Sequence, residues 1–205
     1  MDQIGGLSLI EKIMQHNKLE DYIYIVKNAL SLNLCDEILD EFKNSNEWQD
    51  TVVGSGVGSG KVKKNIRNCK TIVISYPHVI QKNKEVRHKF DNSIFDYAFK
   101  CIQEYNAKFT HCKIEEDSGY ELLKYPEGCF YVEHTDSFKA RPRAVSCSFM
   151  LNDDFEGGEF AFFNRELKYK LEKGDALMFP SNFMYPHEIM PVTQGTRYSI
   201  ITWFI

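Results

Sequence analysis

Residues 120–136, YELLKYPEGCFYVEHTD, decide how the chain is read. Two short runs rich in apolar and aromatic residues, YELLKY and FYVEH, flank Pro126-Glu127-Gly128, a turn signal. Neither run is long enough for a helix, so the pair predicts two strands joined by a tight turn. The same texture continues downstream through AVSCSFML, GEFAFF, LKYKLE, DALMFP and RYSIITWFI, with turn signals at 153–158, 173–175 and 193–196. Short strands at this spacing predict an antiparallel sandwich or barrel. The expected fold is mainly β with flanking helices, a jelly roll (double-stranded β-helix) whose core spans 118–205.

Upstream the pattern differs. Residues 22–26, YIYIV, predict a strand. Ser31 can cap a helix that places Leu34, Ile38, Leu39 and Phe42 on one face. Between 85 and 109, Phe90, Ile94, Tyr97, Ala98, Cys101, Ile102, Tyr105 and Phe109 recur at spacings of three and four, which predicts a long scaffold helix. The run GSGVGSG at 54–60 is too glycine-rich for a stiff element and reads as a hairpin tip or a lid. With no repeat or linker, one domain is expected over 1–205: an N-terminal arm or helix (1–20), helical support with a lid loop (21–117), then the jelly-roll core.

Composition narrows the function classes. The net charge of −4 gives no support to a large nucleic-acid footprint. The cluster Lys61, Lys63, Lys64 and Arg67 is either a solvated loop or part of a substrate site. No stretch approaches a membrane span, and the first 20 residues lack the basic and apolar regions of a signal peptide, so a cytoplasmic setting is expected. None of the six cysteines forms a C-x-x-C pair, which argues for free, mostly buried thiols rather than a structural zinc site.

The strand FYVEH runs into His134-Thr135-Asp136. Alone, an H-x-D pair says little. On a strand, though, alternate residues share a face, so both side chains can reach one metal ion. His187, from a much later strand, can supply a third ligand, because a jelly roll sets distant strands side by side. Two imidazoles and one carboxylate form the facial set of non-haem iron(II) oxygenases, with positions left open for chemistry. The other histidines, His16, His78, His88 and His111, lack such context and read as surface or structural residues.

Ten residues past His187, in HEIMPVTQGTRYSIITW, stands Arg197, a charge within an apolar strand that needs a partner. Here the sequence resembles the 2-oxoglutarate/iron(II) oxygenase superfamily, and its prolyl 4-hydroxylase-like branch in particular. The resemblance implies iron(II) held by His134, Asp136 and His187. It implies that Arg197 grips the far carboxylate of 2-oxoglutarate, a task suited to a planar, permanently charged guanidinium. It further implies that Tyr125 and Ser199 contact the cosubstrate and that Arg67, Tyr131, Arg143 and Trp203 line a substrate groove. Many prolyl 4-hydroxylases have lysine where this chain has Arg197; related branches have arginine.

The implied activity is a dioxygenase that uses O2, with ascorbate as a reductant. It converts 2-oxoglutarate to succinate and CO2 while hydroxylating a prolyl residue in a peptide or protein partner. The alternatives are a hydroxylase of a free amino acid, another small molecule or a nucleobase, and a non-catalytic metal-binding jelly roll. The intact Asp136 argues against a halogenase, and the presence of all three ligands and Arg197 against the non-catalytic module.

Overall fold

The structure, a computed structural model, describes residues 18–53, 60–75, 83–140 and 142–205. Two antiparallel sheets face each other. The larger has seven strands in the order β1 (Tyr24–Val26), β11 (Ala176–Pro180), β7 (Val145–Met150), β14 (Thr196–Phe204), β5 (Glu121–Pro126), β4 (Lys70–Val73) and β2 (Gln49–Asp50). The smaller has five, in the order β10 (Leu167–Tyr169), β9 (Phe160–Phe162), β12 (His187–Ile189), β6 (Phe130–His134) and β3 (Arg67–Asn68). A two-stranded ladder of β8 (Glu156–Gly157) and β13 (Val192–Gln194) closes one end. This is the jelly roll expected from the sequence.

Two helices cover the outer face of the large sheet. In α1 (Leu32–Phe42) the Ser31 hydroxyl accepts the Leu34 N–H at 3.2 Å, satisfying one free donor of the first turn. Leu34, Cys35, Ile38 and Phe42 turn inward. The second helix, α2 (Lys84–Lys108), buries Phe90, Ile94, Ala98, Cys101, Ile102 and Tyr105 along one stripe.

The large sheet is therefore buried on both sides, and its central strands sort their side chains by alternation. In β7, Val145, Cys147 and Phe149 join the helices in one apolar cluster, whereas Met150 belongs to a second cluster between the sheets. Ser146 and Ser148 share the inner face with Met150. In β14, Ile200 faces the helices, while Arg197, Ser199, Ile201 and Trp203 line an internal cavity. The cavity lies between the sheets.

No strand is read from the sequence between 49 and 73, yet this segment contributes β2, β3 and β4. The chain leaves the small sheet after Asn68 and enters the large one at Lys70, with Cys69 at the crossing. These strands have two, two and four residues, too few to generate a readable period. Leu19–Tyr22 forms a 3-10 turn, and the strand expected at 22–26 begins at Tyr24. Most of the expected arm (1–20) and lid (54–60) lies outside the described residues, which omit 1–17 and 54–59.

Ile38 has no exposed surface, whereas its neighbour Leu39 is only partly buried. Ile38→Ala should therefore lower unfolding free energy by about 2–5 kcal/mol, and Leu39→Ala by clearly less. Urea denaturation of both variants checks the difference.

Candidate active site

His134 ends β6 and His187 begins β12, and the two are direct cross-strand partners. Each ring is fixed through Nδ1: His134 bonds the Val132 carbonyl at 2.9 Å and His187 the Tyr185 carbonyl at 3.1 Å. Donation from Nδ1 to those carbonyls leaves both Nε2 lone pairs pointing at Asp136, just past the end of β6. His134 Nε2 lies 3.5 Å from Oδ1 and His187 Nε2 lies 3.6 Å from Oδ2. One ligand atom from each of the three residues falls within 4.8 Å of the others, a group able to hold a metal ion.

The surroundings keep these donors in metal-binding form. Burial disfavours charge on Asp136, but His187, His134 and the Ser146 hydroxyl outweigh it and hold the carboxyl well below the usual range. Burial pulls His187 down to about 4 against the opposing pull of Asp136, so its imidazole is neutral near pH 7. Ser146 donates to Asp136 Oδ2 at 2.6 Å and is itself 2.8 Å from Ser181 Oγ. Arg143 Nη1 donates to the Asp136 carbonyl at 3.0 Å. Phe179 packs edge-on against His187, with ring centroids 4.6 Å apart, and screens it from water.

Arg197 lies across the same cavity. Its side chain is 1% exposed, and Nη1 donates to Ser199 Oγ at 2.8 Å. Nε and Nη2 are buried with no hydrogen-bond partner, and among the described residues no carboxylate pairs with the guanidinium. Tyr125, its cross-strand partner in β5, lies with its ring centroid 5.3 Å away. Burial pushes the Tyr125 phenol up, Cys69 adds to this, and Arg67 and Arg197 act against it. Gly158, with φ at +67°, makes room here: a Cβ at that position would lie 3.0 Å from Arg197 Cδ.

All ten residues singled out in the sequence line one cavity of about 460 Å³. Tyr131 stacks flat on His134, with centroids 3.5 Å apart. The Arg67 guanidinium sits 4.8 Å above the Tyr131 ring. Arg143 lies 3.4 Å from the Trp203 ring centre. Sequence reading missed Ser146, Ser181 and the aromatic wall of Phe160 and Phe179. Serines at alternate positions of AVSCSFM carried a signal, since a polar residue recurring in a fully buried strand marks a face that needs partners.

The resulting space joins a two-histidine, one-carboxylate cluster to a buried cation that needs an anion. Comparison with known proteins agrees with that pairing. Residues 120–205 match the family model described as the 2OG-Fe(II) oxygenase superfamily. A protein of Acanthamoeba polyphaga mimivirus provisionally named prolyl 4-hydroxylase is 27% identical over 201 residues, covering 88% of this chain and 73% of that protein. A PKHD-type hydroxylase of Idiomarina loihiensis is 35% identical over 130 residues, and the match spans 60% of this chain and 59% of that protein. In fold, the chain is similar to a prolyl hydroxylase from Trichoplax adhaerens, solved with a hypoxia inducible factor oxygen degradation domain peptide fragment. The TM-score is 0.67 at 19% identity, covering 96% of this chain and 91% of that one.

Ser146→Ala removes the hydroxyl that orients Asp136 without touching the three metal-competent side chains. It should weaken divalent-metal binding by about ten- to a hundredfold, measured by anaerobic titration with iron(II) or cobalt(II).

Proposed function

We propose, from the premise that residues 120–205 belong to the 2OG-Fe(II) oxygenase superfamily, that this chain is an iron(II)- and 2-oxoglutarate-dependent dioxygenase that hydroxylates a prolyl residue in a peptide or protein. The observation that carries the reading is the buried, unpaired Arg197 guanidinium in the cavity that also holds His134, Asp136 and His187. An isolated charge in such a place is too costly to keep without a counter-charge, and a small dicarboxylate supplies one.

His134, Asp136 and His187 would hold iron(II). When bound, iron and 2-oxoglutarate together supply the oxidising chemistry: one atom of O2 goes to succinate as CO2 is lost, and the other turns a C–H bond into C–OH. The protein's own share is position and shielding. Arg197 offers Nε–H and Nη2–H to the distal carboxylate, while Ser199 keeps the guanidinium plane fixed through Nη1. Tyr125 borders the same carboxylate position. The Phe160 and Phe179 rings exclude water from the His187 side. On the open side, Tyr131, Arg67, Arg143 and Trp203 form the wall against which a substrate would lie.

The prolyl assignment is supported by the mimivirus relative and by the aromatic, arginine-bearing wall. Ascorbate fits as the reductant that keeps iron ferrous. All six cysteines are free thiols, which supports a reducing, cytoplasmic setting. No helix among the described residues is long and apolar enough to cross a membrane.

Truncating one partner of a buried ion pair costs about 2–5 kcal/mol. Arg197→Ala should accordingly raise the KM for 2-oxoglutarate at least about thirtyfold, with Arg197→Lys recovering part of the loss. Succinate release in the presence of iron(II) reads this out, and a chelator should abolish it. On a panel of proline-containing peptides, mass spectrometry should find a single added oxygen that disappears when the proline is replaced by alanine. Absence of iron-dependent turnover, together with an Arg197→Ala variant that behaves like wild type, contradicts the reading.

A further inference from the structure

Outside the cavity, four lysines converge on the outer face of the large sheet. Cross-strand registers align Asp50 in β2 with Lys70 in β4, Lys70 with Lys124 in β5, and Lys124 with Tyr198 in β14. One row of side chains therefore crosses four strands with two lysines directly opposed. Like charges in that position destabilise a sheet. Lys43, at the C-terminal end of α1, closes one side: the Lys124 ammonium lies 3.4 Å from its carbonyl. Lys64 closes the other, 3.1 Å from the Asp50 carboxylate, which is also 3.7 Å from Lys70. Among the described residues, Asp50 is the one carboxylate ion-paired with any of these four lysines.

The electrostatic cost is visible at Lys124. Burial lowers its proton affinity, and Lys70 and Lys43 lower it further. Other nearby acids do not relieve the strip. Glu47 is ion-paired with Arg87, and among the described residues no carboxylate acts on Lys124 to offset Lys70 and Lys43. A chain with a net charge of −4 thus gathers four lysines around a single carboxylate. Asp50, at the end of the row, also lines the reaction cavity, so the strip begins at the cavity mouth.

We propose that Lys43, Lys64, Lys70 and Lys124 form a docking strip for an acidic stretch of a polypeptide substrate, adjoining the cavity that receives the residue to be hydroxylated. The proposal rests on the polypeptide-substrate reading given above. Nucleic acid fits the strip less well. The two aromatic rings present, Trp48 and Tyr198, are both covered by the Lys124 ammonium, 5.4 and 5.7 Å from their centres, and are not open to stacked bases. An acidic chain needs only the ammonium groups. It would relieve the opposed lysines, and the added affinity would act chiefly on capture, hence on KM.

The test uses the full chain and two fluorescent peptides. Both share a proline-containing core; one continues into a run of glutamates, the other into glutamines. The glutamate peptide should bind about tenfold more tightly at low salt, with the advantage shrinking at high salt. Lys70→Gln combined with Lys124→Gln should erase the advantage. Asp50→Asn, which removes the competing carboxylate, should enlarge it. Circular dichroism and peptide-independent turnover of 2-oxoglutarate should match wild type in the double variant. Equal binding of the two peptides, an advantage that survives loss of both lysines, or stronger displacement by single-stranded DNA than by polyglutamate would overturn the strip. If both peptides are hydroxylated with equal KM, the strip fails and the prolyl reading stands. If the glutamate peptide binds through the lysines but gains no oxygen, the strip stands and the prolyl reading fails.

Discussion

The arrangement of the site turns on one unsatisfied charge. Arg197 sits on a central strand, almost fully buried, with one nitrogen bonded to Ser199 and two left without partners. Burial pulls its pKa down, the response of a cation denied solvent. A fold can carry such a group only if the cost is recovered by something that binds. Features around it serve that end: Gly158 clears space for the side chain, Ser199 fixes its plane, and Tyr125 borders it from the neighbouring strand.

The jelly roll relates this cation to the histidine cluster. Arg197 and Tyr125 project from the large sheet, His134 and His187 from the small one, and the cavity between the sheets holds both sets. The helices make this possible from behind. By covering the outer face of β7, β14 and β5 they let apolar residues fill that face, so the inner face can hold Ser146, Ser148, Arg197 and Ser199. The outer covering ends where Lys70 and Lys124 begin, and the sheet presents charge to solvent there.

Much of this was legible in the sequence. The strands from 120 onward announced themselves by length and turn residues, and Arg197 by being charged in an apolar run. The α1 face was readable from Ser31 and its helical spacing, because capping and periodicity are local properties. The short strands β2, β3 and β4 were not, since their existence depends on partners in β5 and β6. Ser181 was hidden for the same reason: its role is set by Ser146, from a different strand. The basic cluster read between 61 and 67 divides in three dimensions. Arg67 turns into the cavity over Tyr131, while Lys64 turns outward to Asp50, joined by Lys43, Lys70 and Lys124 from separate segments. Sheet register opposes Lys70 and Lys124, and tertiary contacts bring Lys43 and Lys64 beside them.

The claim that Arg197 exists to hold a distal carboxylate is tested most directly by thermal unfolding with matched ligands. In the presence of a divalent metal, 2-oxoglutarate should raise Tm, because a ligand that binds only the folded state stabilises it. 2-Oxobutyrate keeps the 2-oxo acid but lacks the second carboxylate, and at the same concentration it should give little or no shift. Equal shifts from the two compounds, or none from either, would contradict the account.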